Sequence, residues 1–102
     1  MPSSNTIVGV VFGGASREHN VSIKSAKTVI QALKSGRNAT RFDLYSFYID
    51  IEGHWWPEDI AKKALRKGSG LNQQELPAIS SSSGFKGLPL GSERVQVWYP
   101  IL

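Results

Sequence analysis

The stretch that decides the fold is Ile7-Val8-Gly9-Val10-Val11-Phe12, followed by Gly13-Gly14. Its apolar, largely β-branched residues predict a strand buried on both faces, as in the middle of a parallel sheet. The two glycines that follow predict a sharp turn, because glycine adopts backbone conformations that other residues avoid. A loop is then expected over 15–20. A buried strand that runs through a glycine turn into a helix is the beginning of a βαβ unit.

A helix is predicted after this turn, from about Ser22 to Lys34. Its apolar residues recur at spacings of three and four and form one stripe, which consists of Ile23, Ala26, Ile30 and Leu33. Asn20 or Ser22 is expected to cap the start of the helix, and Gly36 is expected to end it.

The rest of the chain continues the alternation of strands and helices. Its patterns predict, in chain order, a second strand over 41–49, a turn over 50–53 and a short returning strand over 54–56. Pro57 fits the first position of a second helix, and Gly68 follows that helix. Residues 95–102 return to a strand pattern. We therefore expect one α/β domain over 1–102, with three layers and a mostly parallel sheet flanked by helices.

Residues 68–92 show no clear periodicity. Four serines at 80–83 are surrounded by glycines and a proline, which predicts a long flexible loop within the domain. The last strand pattern ends at Leu102. Because ligand crevices lie beyond the carboxyl ends of parallel strands, we expect the natural protein to continue with a further loop.

The composition narrows the class of protein. The chain has 102 residues, of which 40% are hydrophobic and 20% charged, and this suits one small folded domain. Cysteine is absent, so disulfides and thiolate metal sites are excluded. The longest apolar run is far shorter than a membrane span, and the first residues lack the pattern of a signal peptide. We therefore expect a cytoplasmic protein without a membrane partner.

The formal charge of +4 raises the question of nucleic-acid binding. The basic residues are scattered except for one cluster in the second predicted helix, which consists of Lys62, Lys63, Arg66 and Lys67. Glu58 and Asp59 lie in the same helix, so a solvated helix face explains the cluster better than a phosphate-binding stripe. No nucleic-acid partner is expected.

The segment 13–22, Gly-Gly-Ala-Ser-Arg-Glu-His-Asn-Val-Ser, carries the residues best placed for chemistry. It follows the first strand and therefore lies where open parallel sheets bind ligands. Its glycine spacing fits neither the dinucleotide fingerprint nor a Walker-type loop. The residues alone leave two interpretations open, an ordinary strand-to-helix turn or a ligand-binding loop.

Residues 8–26 closely resemble the N-terminal signature of the D-alanine–D-alanine ligase family. That signature is an apolar strand, Gly-Gly, a small residue, Ser, any residue and Glu-His-Glu-Val-Ser leading into a helix. A looser similarity covers 48–50, 53–55 and 97–102, and the last of these resembles the strand before a His-Gly-x-x-Gly-Glu-Asp-Gly loop. The resemblance implies a Rossmann-like domain that precedes an ATP-grasp region, in an enzyme that joins two D-alanines for peptidoglycan precursors.

The resemblance also implies roles for single residues. Glu18 matches the catalytic and substrate-binding glutamate that holds the ammonium group of the first D-alanine and helps to anchor a serine and a tyrosine of later domains. A carboxylate suits this task because it forms a charge-assisted hydrogen bond with an ammonium group. Its alternative role is that of a solvated loop acid near the helix N-terminus. Val21 matches a valine expected near the methyl group of that substrate, and packing in the core at the helix start is a compatible alternative role.

Three further residues of the signature are less directly tied to the substrate. Ser22 matches its serine, which we expect to cap the helix or to form hydrogen bonds behind the site. His19 matches as well, and we expect it to have a structural role. Asn20 stands where the family has a glutamate, so any role that requires a carboxylate at this position is in doubt.

ATP and Mg²⁺ are implied for the whole enzyme, where ATP would phosphorylate the first D-alanine before the second one attacks. The chain itself has no phosphate-binding loop or carboxylate cluster, and two distant histidines do not make a zinc site. We therefore expect no cofactor or metal on this chain, and no activity from it alone. The expected partners are D-alanine, the ATP-grasp domains of the same polypeptide and a second copy in a homodimer.

Two other classes of function remain open. The chain could be a free-standing Rossmann- or flavodoxin-like module that binds a small ligand at 13–22, or an interaction module that uses the basic helix at 60–67. Within the ligase interpretation, the sequence does not distinguish D-alanine, D-lactate and D-serine as the second substrate.

Overall fold

A computed structural model describes residues 5–15, 17–76 and 92–101. Its fold is a sheet with helices packed on it. The strands and α-helices are, in chain order, β1 (Thr6–Gly13), α1 (His19–Leu33), β2 (Phe42–Ile49), β3 (Trp55–Trp56), α2 (Glu58–Lys67) and β4 (Val97–Ile101). Short 3₁₀ turns lie at Gly36–Thr40, Gln73–Glu75 and Ser92–Arg94.

The sheet has the strand order β3-β2-β1-β4. β1 lies inside it and pairs in parallel with β2 on one side and with β4 on the other. β3 pairs with β2 in the antiparallel direction, so β3 and β4 are the two outer strands of the sheet. The predicted α/β fold with a mostly parallel sheet is confirmed. Because β1, β2 and β4 run in the same direction, their carboxyl ends meet at one edge of the sheet, which we call the carboxyl edge.

Both described α-helices pack on the same face of the sheet. The core of this face combines β1, α1, α2 and the large side chains of β2 and β3, and its buried residues include Val10, Phe12, Ile23, Ala26, Tyr48, Trp56, Ile60 and Ala64. The opposite face buries Val11, Phe47 and Ile49, and the ring of Trp98 contacts that of Phe47. The third layer expected from the sequence is therefore not supplied by the described helices.

Gly9 allows a close approach in the middle of β1. A Cβ atom at this position would lie 2.9 Å from side-chain atoms of both Trp98 and Val95. These two side chains therefore lie directly against the backbone of the central strand, and the glycine makes room for them.

The helix ends differ in part from the sequence-based predictions. α1 begins at His19 with Glu18 as its N-cap, so the predicted start near Ser22 and a cap by Asn20 or Ser22 are wrong. The hydroxyl of Ser22 forms hydrogen bonds with Gly13 and Ile101 instead. Pro57 is the N-cap of α2 and not its first helical residue. Gly68 ends α2 in the left-handed conformation, with φ of 78°, as predicted.

The predicted loop at 68–92 lies only partly within the described residues. Its described parts, 68–76 and 92, contain turns and short 3₁₀ helices and neither an α-helix nor a strand. The four serines lie outside the described residues. Neither helix in the described part of the chain has the length and apolar character of a membrane span.

Candidate functional site

The turn that follows β1 lies at the carboxyl edge, and it packs tightly against the end of β2. Gly13 has φ of 97°, and a Cβ atom there would lie 2.2 Å from the carbonyl oxygen of Ile49. Gly14, with φ of 98°, donates its N–H to the same carbonyl at 2.8 Å. The two glycines thus bring the chain closer to β2 than a residue with a side chain would allow.

Ser22 connects this turn to the last strand. Its buried Oγ accepts the N–H of Gly13 at 2.9 Å and donates to the carbonyl oxygen of Ile101. One hydroxyl therefore joins β1, α1 and β4 at the carboxyl edge. Because the hydroxyl forms these two hydrogen bonds, it does not cap the helix. Ser22 is buried between the turn and the sheet and does not lie on the surface of the turn.

His19 has the structural role that we expect from the sequence. Its Nδ1 contacts the carbonyl oxygen of Gly14, and because a carbonyl only accepts, the proton lies on Nδ1. With this tautomer Nε2 is an acceptor, and the hydroxyl of Tyr48 donates to it at 2.8 Å. The oxygen of Tyr48 also accepts the N–H of Leu71 at 3.0 Å. The first residue of α1 is therefore bonded to its own turn and, through Tyr48, to the segment after α2.

Tyr48 stays protonated in this arrangement. Burial raises the pKa of its hydroxyl above the usual 10.0, and the nearby charges of Asp50 and Glu75 raise it further, while the hydrogen bond from Leu71 acts in the opposite direction. The hydroxyl consequently keeps its proton through neutral pH and can donate it to His19.

A cleft of about 490 Å³ opens beside this network. It is lined by Arg17, His19, Asn20, Ile51, Ser69, Gly70, Leu71 and Asn72. The Oδ1 atom of Asn20 accepts the N–H of Gly70 at 2.8 Å, so the amide that replaces the family glutamate holds the wall of the cleft. Gly70 is needed at this point because a Cβ atom would lie 2.6 Å from the ring of His19.

The two predicted substrate-binding residues lie on the surface at the start of α1. Glu18 is exposed, and its neighbours Arg17 and His19 line the cleft while Glu18 itself does not. Val21 is 57% exposed, so the alternative of core packing at the helix start is wrong. Both residues lie at the N-terminal end of α1, Glu18 as its N-cap and Val21 in its first turn. What they bind remains a prediction.

Asp50 organises the turn between β2 and β3, a role that the sequence analysis did not assign. Asp50 is 3% exposed, and its Oδ1 accepts the N–H groups of Glu52 and His54 at 2.9 and 3.0 Å. Its Oδ2 accepts the indole N–H of Trp56 at 2.8 Å. An aspartate shortly before a glycine is the sequence signal of such a turn. Tyr48 lies in the looser similarity at 48–50 but was given no role, and no local pattern marks the segment 69–72.

Most of the basic side chains of helix α2 form ion pairs or hydrogen bonds with other residues of the chain. Lys62 lies 3.8 Å from Glu58, and Lys67 lies 2.6 Å from Glu75. Lys63 donates to the backbone carbonyl of Glu75 at 3.0 Å. These contacts support the interpretation of a solvated helix face over that of an interaction surface. Among the described residues, no group of three or more His, Asp or Glu side chains could hold a metal ion.

Comparisons with known proteins agree with the resemblance seen in the sequence. The family model described as D-ala D-ala ligase N-terminus matches residues 7–102. The D-alanine–D-alanine ligase of Prochlorococcus marinus strain MIT 9303 is 54% identical over 102 residues, and that of Synechococcus sp. strain CC9311 is 51% identical over 102 residues. Each alignment covers 100% of this chain and 29% of the relative, so the chain spans less than a third of their length.

A solved structure is similar as well. The crystal structure of the VanG D-Ala:D-Ser ligase from Enterococcus faecalis aligns with a TM-score of 0.50 and 30% sequence identity. This alignment covers 64% of the chain and 18% of that structure.

Proposed function

The chain belongs to the D-alanine–D-alanine ligase N-terminal family, and we propose that it supplies the binding site for the ammonium group of the first D-alanine in such a ligase. In this proposal Glu18 is the acceptor for the ammonium group, and Val21 contacts the methyl group of the same substrate. The whole enzyme joins two D-alanines in the cytoplasm for peptidoglycan precursors and, by the same resemblance, is a homodimer.

The exposure of Glu18 and Val21 is the observation that carries the proposal. Next to them, Gly13 and Ser22 are buried, and Gly13, Gly14 and Ser22 all form hydrogen bonds at the carboxyl edge. Glu18, the N-cap residue of α1, and Val21 in the first turn of this helix are instead exposed. A carboxylate attracts an ammonium ion, and this attraction becomes stronger where a neighbouring domain excludes water.

The remaining chemistry belongs to parts of the enzyme that this chain does not include. Phosphoryl transfer from ATP needs metal-binding carboxylates and phosphate-binding groups, and among the described residues no group of three or more His, Asp or Glu side chains could hold a metal ion. The chain covers 29% of its relatives, which leaves room for ATP-grasp domains that bind ATP and Mg²⁺. In this proposal the domain binds and orients the substrate.

The test is the substitution Glu18→Gln in the full-length protein that contains this domain. Loss of one charged hydrogen bond of about 1.5–4 kcal/mol should lower kcat/KM for D-alanine by roughly 10- to 1,000-fold. Steady-state kinetics with ATP and D-alanine measure this effect. Asp59→Asn is the matched control, because it neutralises an exposed carboxylate on α2 and should leave the kinetics unchanged.

Two outcomes would contradict the proposal. Wild-type kinetics in the Glu18→Gln enzyme would remove Glu18 from the binding site. ATP-dependent ligation by residues 1–102 alone would contradict the division of labour between this domain and the rest of the enzyme.

A further inference from the structure

We propose that Tyr48 is a positioning residue for the substrate-binding turn, and that its hydroxyl acts through His19 to hold the backbone that carries Glu18. This inference rests on the proposed function and extends it to β2, outside the signature segment at 8–26. The relevant feature is the bridge that the hydroxyl of Tyr48 forms between His19 and Leu71.

In this bridge the hydroxyl of Tyr48 acts both as a hydrogen-bond donor and as an acceptor. Its hydrogen is donated to Nε2 of His19, and its oxygen accepts the N–H of Leu71. Tyr48 is fully buried, and His19 and Leu71 are each 7% exposed. Water therefore cannot readily replace the hydroxyl, and its removal leaves a donor and an acceptor without partners in the core.

The effect reaches Glu18 through the ring of His19. Nδ1 of this ring is bonded to the carbonyl of Gly14, which closes a loop of backbone that contains Glu18. On the other side, the carbonyl of Glu18 accepts the N–H of Ser22 at 2.8 Å. The backbone of Glu18 is thus held by two hydrogen bonds, one from the ring of His19 to Gly14 and one from Ser22 to Glu18. The hydrogen bond from Tyr48 fixes the orientation of the His19 ring and therefore the first of these two bonds.

Packing alone does not require a hydroxyl at this position. The ring of Tyr48 lies 5.8 Å from that of Phe12 and meets the imidazole of His19 edge-to-face at 5.5 Å. Phenylalanine would preserve these ring contacts. The hydroxyl oxygen, in contrast, contacts Nε2 of His19 and the N–H of Leu71, which belong to different segments of the chain. A residue that positions one segment against another is expected to form such contacts.

The test compares Tyr48→Phe with wild type in the full-length protein that contains this domain. The KM for the first D-alanine should rise roughly 3- to 10-fold, because a displaced Glu18 weakens substrate binding in the ground state and the transition state alike. The kcat value and the KM values for ATP and the second D-alanine should stay within about twofold. Tyr45→Phe is the control, since Tyr45 lies in the same strand and packs against the opposite core.

A spectroscopic measurement on the same proteins separates positioning from general stability. In wild type labelled with ¹⁵N-histidine, His19 should show the tautomer protonated at Nδ1. In Tyr48→Phe the Nε2 resonance should shift, and the amide hydrogen of Leu71 should exchange roughly tenfold faster. Should Tyr48→Phe fail to fold, His19→Phe keeps a ring, loses both hydrogen bonds and should raise the same KM.

The outcomes distinguish this inference from the proposed function. No ligation of D-alanine by the wild-type protein would overturn the proposed function. Ligation by wild type, together with an altered His19 signal and an unchanged KM in Tyr48→Phe, would overturn the positioning role alone. A lower kcat with unchanged KM values would indicate a purely structural residue and would also overturn it.

Discussion

Two turns meet at the carboxyl edge, and they are held in different ways. The first turn, 13–18, follows β1, and the second turn, 50–54, follows β2. Asp50 holds the second turn through groups no more than six positions away. The first turn depends on partners from β2 and, through Ser22, on a carbonyl 79 positions along the chain. The turn with the proposed binding role is therefore formed by the completed sheet, whereas the other one is formed by its own sequence.

The largest expected effect is that of Gly13→Ala. The added Cβ atom would clash with the backbone oxygen of Ile49, which cannot move without disturbing β2, and φ would remain positive. We expect a loss of about 3 kcal/mol or more in the free energy of unfolding, measured by urea denaturation. Gly53→Ala is the matched control in the second turn, with φ of 90° and nothing within 4 Å of the new atom. It should cost about 1 kcal/mol, and equal losses would contradict the difference between the turns.

Asp50→Ala should have the next largest effect. It leaves the indole N–H of Trp56 and two backbone N–H groups without their acceptor, which should cost about 2–3 kcal/mol. Hydrogen exchange should accelerate at Glu52 and His54 more than at Gly13 and Gly14. Asp43→Ala, which removes an exposed carboxylate, is the control and should change stability by less than about 0.5 kcal/mol. Equal acceleration in both turns would show that the second turn is not locally determined.

Asn20→Ala should have the smallest effect. The bond to Gly70 is exposed, so water can replace the lost acceptor, and we expect a change of about 0.5–1 kcal/mol in thermal or urea unfolding. Asn20→Asp keeps an oxygen in the same place and should be close to wild type. If Asn20→Asp were as destabilising as Asn20→Ala, the acceptor role of this side chain would be wrong.

Most of the fold follows from local patterns. The apolar run of β1, the stripe of α1 and the aromatic residues of β2 each predict their own element, because periodicity reports which face is buried. The start of α1 does not follow from such a pattern. Ser22 resembles a capping residue in the sequence, but its hydroxyl is bonded to Gly13 and Ile101. Whether a serine caps a helix or joins strands depends on what lies nearby in the folded chain.

In the candidate site, too, some features follow from local sequence patterns and others depend on contacts between distant residues. Glu18 and Val21 could be singled out because they lie in a recognisable segment, and the turn at Asp50 has a local signal. The contact of His19 with Tyr48 spans 29 positions and arises only from the register in which Gly13 lies opposite Ile49. Similarly, no periodicity in 68–92 reveals that Gly70 and Leu71 return to the start of α1. Contacts of this kind require the strand pairing to be known first.

The pairing of β1 with β4 has a consequence for how the protein is made. Gln96 forms hydrogen bonds with the backbone of Ile7, 89 positions earlier, and the tryptophan that covers Gly9 comes from the same late segment. During translation β1 leaves the ribosome first, yet one of its edges stays without a partner until residues near 100 have emerged. Such high contact order slows folding, and an open apolar strand edge can pair with other chains. We therefore expect this edge to be the point at which nascent or truncated chains aggregate.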